Sequence, residues 1–395
     1  MMPLKTQTAV VEPQTAQSTI FYLLCAGFVL NGIVICLIGP LLPVFREKWA
    51  LDDSRAGLFS TMQFASSMAG VLISSPLISA KGFKPAITLG LILLGIGFAL
   101  LNASSFALAL AASAIYGLGY GFATPGTNLW VGESYGERRA SALNVANLAW
   151  GVGAIASAPL ALFAIRAAHV TLLLYIVAAL CVFLGIVLFR MNFGQPPHHE
   201  TAADGGSGAG TFAAAVLLGI LFFVYVGTEV GTSYWAAMHA QRAAVWTSKN
   251  FTLAPMFFFA GLLGGRGAAA AILLRVKEAM VAVGGILLAA AGELLFLSAH
   301  APTAVFVGAF FTGLGLSSLY PIWVAWLSKW FGARARKVGG VMFALAAAGA
   351  STMPALVGVV SRYANDSLRM GLLVPLTGCA IMLLTVALLR PSTRG

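Results

Sequence analysis

Gly117-Leu118-Gly119 comes back as Gly313-Leu314-Gly315, and the same shift of 196 residues carries Pro125 to Pro321, Trp130 to Trp326, Tyr135-Gly136 to Phe331-Gly332 and Arg138 to Arg334. Glycine and proline are placed by backbone demands rather than by apolarity. Their recurrence at one constant offset therefore marks two copies of one unit, and any fold for this chain has to be assembled from two like halves.

Composition says what surrounds that fold. At 59% hydrophobic and 9% charged, with a mean hydropathy of +0.92, the chain lies far from soluble domains, where about a quarter of residues are charged. Its apolar runs are continuous rather than alternating, which predicts helices that satisfy their own backbone hydrogen bonds in lipid. Twelve such runs are read at 20–42, 56–79, 85–101, 106–131, 140–165, 169–190, 213–238, 248–274, 279–299, 302–330, 337–361 and 368–390. They leave no stretch long enough for an extramembrane catalytic domain. The expected fold class is all-α integral membrane, with twelve transmembrane helices in two pseudo-symmetric six-helix halves. Its segments are an N-terminal tail (1–19), a first bundle (20–190), a linker (191–212) carrying Pro196, Pro197, His198 and His199, a second bundle (213–390) and a short tail (391–395). Repeated halves in a membrane chain are the pattern of secondary transporters, whose solute site lies between the copies near the bilayer midplane.

Lys and Arg gather in the segments that share a side with the N-terminus, among them Lys81, Lys84, Arg138, Arg139, Arg275 and Lys277. That bias predicts a multi-pass protein of the cytoplasmic (inner) membrane with both termini in the cytoplasm. The net charge of +11 is then topology signal and contact with anionic headgroups. No basic surface interleaved with aromatics points to nucleic acid. The first run is too long for a signal-peptide core and is expected to remain as a helix. Cys25, Cys36, Cys181 and Cys379 sit in apolar runs without paired spacing, and the histidines are read as loop residues. No disulfide framework, metal site or cofactor is expected. Gly117, Gly119 and Gly121 lie inside an apolar run with no strand before them, so they read as helix-packing positions and not as a phosphate cradle.

Polar side chains at mid-membrane depth are the candidates for function, because an acidic residue at a helix centre costs roughly 2.5 to 3.5 kcal/mol on an insertion scale. Glu229 is the sharpest case. Tyr225, Glu229 and Thr232 follow at i, i+4 and i+7, one stripe of a helix, with Trp235 and Ala236 flanking it. Two readings stay open: a carboxyl that binds solute or a coupling cation, and one that only fixes helix packing. Arg266 in the eighth run can pair with Glu229 and offset its desolvation, act in gating, or snorkel along its helix to the surface. Glu293 in the ninth run is the other intramembrane charge. Asn31, Gln63, Asn128 and Asn147 supply amides, Asn144 adds another, and Trp150, Tyr320 and Trp323 supply rings. Amides that both donate and accept, next to aromatic faces, suit a neutral polyhydroxylated solute. Several of these, Asn128 and Asn144 included, equally fit helix glue or interfacial anchors.

Twelve runs in two similar halves resemble the major facilitator superfamily over almost the whole chain. Within it, the run from Tyr225 through Gly227-Thr228-Glu229 to Trp235 resembles the fucose and glucose/galactose permease family, as do Gln63-Phe64, Gly264-Gly265-Arg266 and the run from Asn144 to Trp150-Gly151. The resemblance implies a carrier whose spans one, four, seven and ten line a central cavity while three, six, nine and twelve form the outer scaffold. It implies import of a sugar with protons or sodium, with Glu229 facing the cavity. The sequence also departs from that pattern. Fucose carriers have acidic residues in spans one and four, where this chain has Asn31 and no carboxylate before Glu133; the loop after span two reads Ser79-Ala80-Lys81-Gly82-Phe83-Lys84, without the usual Asp.

The expected function is movement of a small polar solute, a monosaccharide first, by alternating access with proton or sodium symport, by a monomer in the lipid bilayer. Gly153 with Ala158-Pro159 and the phenylalanines Phe257, Phe258 and Phe259 sustain an alternative, export of amphipathic compounds. A non-transporting membrane sensor is a further alternative. No nucleophile, general-base or metal constellation suggests an enzyme.

Overall fold

The computed structural model describes residues 14–193 and 210–389. Residues 1–13 of the expected tail, the middle of the linker with His198 and His199, and residues 390–395 lie outside the described residues. The chain runs through α1 (Gln14–Lys48), α2 (Asp53–Lys81), α3 (Phe83–Leu100), α4 (Phe106–Ser134), α5 (Arg139–Arg166) and α6 (Val170–Arg190). The second half follows with α7 (Phe212–Ala243), α8 (Ala254–Ile272), α9 (Glu278–Ser298), α10 (Pro302–Leu316), α11 (Leu319–Phe331), α12 (Ala335–Tyr363), α13 (Leu368–Gly371) and α14 (Leu373–Leu388). Among the described residues, eleven crossings are long and apolar enough to span a bilayer, and the 19-residue α8 takes the remaining place in a twelve-helix arrangement.

Several helices outrun the apolar runs that announce them. α1 begins inside the expected tail and ends at Lys48, and α7 continues to Ala243, because hydrogen-bonded caps, not hydropathy, set helix ends. Asp52 caps α2 by accepting from Arg55 N at 2.8 Å, and Thr211 caps α7 by accepting from Ala214 N at 3.2 Å. The expected tenth run is continuous, whereas the structure interrupts it at Ser317-Ser318. Pro321 cannot donate to the carbonyl four residues back and its ring crowds that carbonyl; Ser317 Oγ instead bonds back to Leu314 O at 2.6 Å. His239, read as a loop residue, is buried inside α7 with Nε2 3.0 Å from Phe296 O.

The repeat is now explained by contact geometry. In α4 a Cβ on Gly117 would lie 2.2 Å from Gln63 O of α2, and in α10 one on Gly313 would lie 2.0 Å from Phe258 O of α8. Gly119 presses likewise on α3, and its counterpart Gly315 on α9. Gly153 of α5 meets Val29 O of α1 and Gly349 of α12 meets Phe223 O of α7, both at 2.0 Å for the added Cβ. Any side chain at these places would push the helices apart. Gly136 and Gly332 hold φ of 46° and 47° at equivalent turns, a conformation that favours glycine.

The halves meet through α2 with α12, α5 with α8 and α1 with α7. The hydrogen bonds between them concentrate at the end of the bundle where α1 finishes and α2 begins. Thr61 Oγ1 donates to Ser351 O at 2.8 Å, Tyr234 Oη to Ala56 O at 2.6 Å, and Arg166 Nη2 to Asn250 Oδ1 at 2.7 Å. A Cβ on Gly358 would stand 2.3 Å from Asp53 O. This end is closed.

Candidate solute cavity and its gate

A cavity of about 170 Å³ lies between the halves just inside the closed end. α1 contributes Cys36 and Gly39, α2 Gln63 and Phe64, α4 Tyr120, α5 Trp150, α7 Glu229, Ser233 and Tyr234, and α8 Phe259. Gly39 packs on the backbone of Tyr234, where a Cβ would come within 2.9 Å of the Tyr234 carbonyl oxygen. Trp150 meets Phe259 edge to face at 6.3 Å, so an aromatic pair with one ring from each half bounds the cavity.

Glu229 is the carboxyl on this wall. Its Oε2 accepts the Tyr225 hydroxyl at 2.5 Å, and Tyr225 is in turn buried against Tyr320, with ring centroids 5.8 Å apart. The ion pair with Arg266 that the sequence allows is not formed: among the described residues the ion pairs involve Asp52 and Asp53. Tyr225 instead stands within electrostatic reach of both Glu229 and Arg266. Gln63 is held in place by accepting Tyr116 Oη at 2.7 Å and donating to Ile35 O at 3.4 Å.

Gln63, Trp150 and Glu229 are thus brought together, with Tyr225 and Tyr320 behind the carboxyl. The other expected contacts lie elsewhere. Asn31 is 1% exposed within the helix packing and its Oδ1 finds no partner; Asn128 Oδ1 is likewise buried and unbonded, and neither lines the cavity. Asn147 turns its amide back to Leu143 O of its own helix at 2.8 Å. Trp323 is fully buried in the second half against Trp326. An i, i+4 rule fixes which residues share a stripe but not which neighbour that stripe faces. Tyr120 escaped sequence reading, although Tyr120, Thr124 and Asn128 follow at i, i+4 and i+8 on one face of α4.

The closed end carries a second constellation, which the sequence analysis did not single out. Asp53, 0% exposed, accepts from Arg242 Nη1 at 2.7 Å and Nη2 at 2.6 Å, and from Ser361 Oγ at 2.6 Å. Arg46 Nε lies 3.4 Å away, and Arg362 pairs with Asp52. One carboxylate of the first half therefore ties down α7 and α12 of the second. Glu293, also 0% exposed, stands apart from the cavity and accepts from Thr232 Oγ1 at 3.1 Å.

Two bundles related by a repeat, a cavity between them with a carboxyl on its mostly apolar wall and a bonded closure at one end are the features of a membrane transporter. The profile of the Major Facilitator Superfamily matches residues 24–292, and the chain belongs to that family. No curated protein matches the sequence. Among solved structures, a mutant of the peptide transporter POT in complex with alafosfalin is 15% identical, with 94% of each chain covered and a TM-score of 0.77. A bacterial homologue of the human lysosomal transporter Spinster, inward-facing and occupied, is 16% identical over 95% of this chain and 96% of its own, with a TM-score of 0.74. The E. coli fucose:proton symporter FucP is 20% identical over 94% and 99%, with a TM-score of 0.60; FucP in the outward conformation gives 0.62. At these identities the likeness shows the fold alone.

Proposed function

We propose that this carrier moves a small polar solute of the monosaccharide class together with a proton, and that Glu229 carries the proton. The observation behind this reading is the position of Glu229: a half-buried carboxyl on the wall of the cavity between the halves, bonded to Tyr225 and without a cation at ion-pair distance. A carboxyl on the wall of a cavity that opens to water on one side at a time can exchange a proton with each side in turn. Gln63 offers the solute an amide edge, Ser233 a hydroxyl, and Trp150 and Phe259 ring faces for its C–H surfaces. With both termini cytoplasmic, as the basic residues argue, the bonded end faces outward and the structure represents the inward-facing half of the cycle.

Of the features behind an exporter of amphipathic compounds, Phe259 lines the cavity and others are taken up by packing. Phe257 stacks on Phe306 at 4.3 Å, Phe258 is fully buried, and Gly153 presses on Val29. Whole-cell uptake of a sugar tests the reading directly. Wild-type accumulation should collapse with an uncoupler, while Glu229→Gln should equilibrate the solute without concentrating it. Accumulation that survives both changes overturns the role of Glu229.

A further inference from the structure

Arg266 sits on α8 two turns beyond the cavity-lining Phe259, on the same face of the helix and away from the closed end. No carboxylate comes within ion-pair distance of it among the described residues, and its buried Nε finds no hydrogen-bond partner. The Tyr225 hydroxyl of α7 lies within hydrogen-bonding reach of its guanidinium and Tyr320 of α11 within electrostatic reach, and the same Tyr225 hydroxyl is shared with Glu229. Glu229 is already engaged by the Tyr225 hydroxyl.

A guanidinium at mid-membrane depth is costly unless paired, and its planar fork matches a carboxylate through two parallel bonds. We infer that the solute carries a carboxylate, that Arg266 is the residue that binds it, and that the natural cargo class is a sugar acid rather than a neutral sugar. This rests on the proposed sugar reading of the cavity and narrows it. The hydroxylated body lies against Gln63, Trp150 and Ser233, and its acid group points along α8 toward Arg266.

The charge balance supplies the coupling. With Glu229 ionised, the cluster of Glu229 and Arg266 is neutral without solute. Protonation of Glu229 leaves Arg266 as an unbalanced cation, which the solute anion then neutralises. Proton and anion each favour the binding of the other, and the pair crosses with no net charge.

The test uses the full chain purified in detergent, with D-glucuronate and D-glucose as probes that share a ring and differ in the carboxylate, and D-lactate as a carboxylate without a ring. Binding is read by thermal shift, and transport by uptake into proteoliposomes with the membrane potential clamped. Glucuronate should bind wild type about 10- to 100-fold tighter than glucose, the range of a charge-assisted bond. Arg266→Gln should remove that preference while keeping weak glucose binding, and Arg266→Lys should keep part of it. Glucuronate uptake should not respond to the clamped potential. Equal binding of glucose and glucuronate by wild type overturns the inference and leaves the sugar reading standing, and this comparison needs no variant to fold. Lactate binding that depends on Arg266, without binding of either sugar, overturns the sugar reading and upholds the role of Arg266. Electrogenic uptake overturns the charge balance.

Discussion

Replacing Asp53 by Asn should unlatch the closed end. The Asp53 carboxylate is fully buried and takes two bonds from Arg242 and one from Ser361, while Arg46 stands 3.4 Å away. Breaking a buried pair costs about 3–5 kcal/mol, but Arg242 keeps 26% of its side chain in solvent, which screens its loss and brings the expected cost to about 2–3 kcal/mol. These bonds tie α2 to α7 and α12, so they exist only while the two halves meet at this end. Their loss therefore falls on the equilibrium between closed and open, and shifts it about 30- to 150-fold. The native Cys36 thiol lines the cavity behind the latch and reports on it. In a Cys25→Ser background, a membrane-impermeant maleimide applied from the outer face should label Cys36 slowly, and Asp53→Asn should raise the labelling rate by that factor. Ser361→Ala should do so more weakly, since it removes one of the three hydrogen bonds to the Asp53 carboxylate and leaves both bonds from Arg242 in place. Unchanged labelling in a folded Asp53→Asn protein would refute the latch.

The remaining predictions concern packing and the cavity wall. Gly153→Val and Gly349→Val, where even a Cβ would stand 2.0 Å from a backbone oxygen, should each abolish a monodisperse peak in fluorescence-detected gel filtration, whereas Gly132→Ala, with nothing within 4 Å, should leave it intact. Trp150→Ala removes one of the rings bounding the cavity and should weaken solute binding about tenfold, in line with losing one aromatic contact; Asn147→Ala, whose amide serves its own helix, should bind as wild type in the same thermal-shift assay. Glu293→Gln keeps an acceptor for Thr232 and should melt within a few degrees of wild type. Glu293→Ala leaves that hydroxyl without its acceptor as well as a void, and should lower stability by about 2–4 kcal/mol, seen as a clear fall in melting temperature.

The two-half architecture was legible because its markers are backbone constraints. Gly117 and Gly313 must lack a side chain where α4 crosses α2 and α10 crosses α8, and Gly136 and Gly332 must turn with positive φ, so sequence and structure record the same fact. Pro125 and Pro321 show where that transparency stops. The same residue at the same register leaves α4 unbroken and divides α10 from α11, because in the second copy Ser317 offers its hydroxyl to the backbone and helps the helix end. The site was legible in part for a similar reason. A buried acid announces itself by its cost, which singled out Glu229, whereas an amide can turn inward, outward or back onto its own helix at little expense. Asn147 does the last, and no spacing rule foretells it. Asp53 illustrates the converse. Lying outside the apolar runs, it is not singled out by sequence, and it becomes the latch only because α7 and α12 bring Arg242 and Ser361 from more than 180 residues away. A gate made of contacts between halves is by construction invisible to a reading that takes each helix on its own, while a cavity carboxyl is visible even in isolation. The sequence of one bundle therefore points to the cavity carboxyl, and the meeting of the two halves builds the latch that closes the cavity around it.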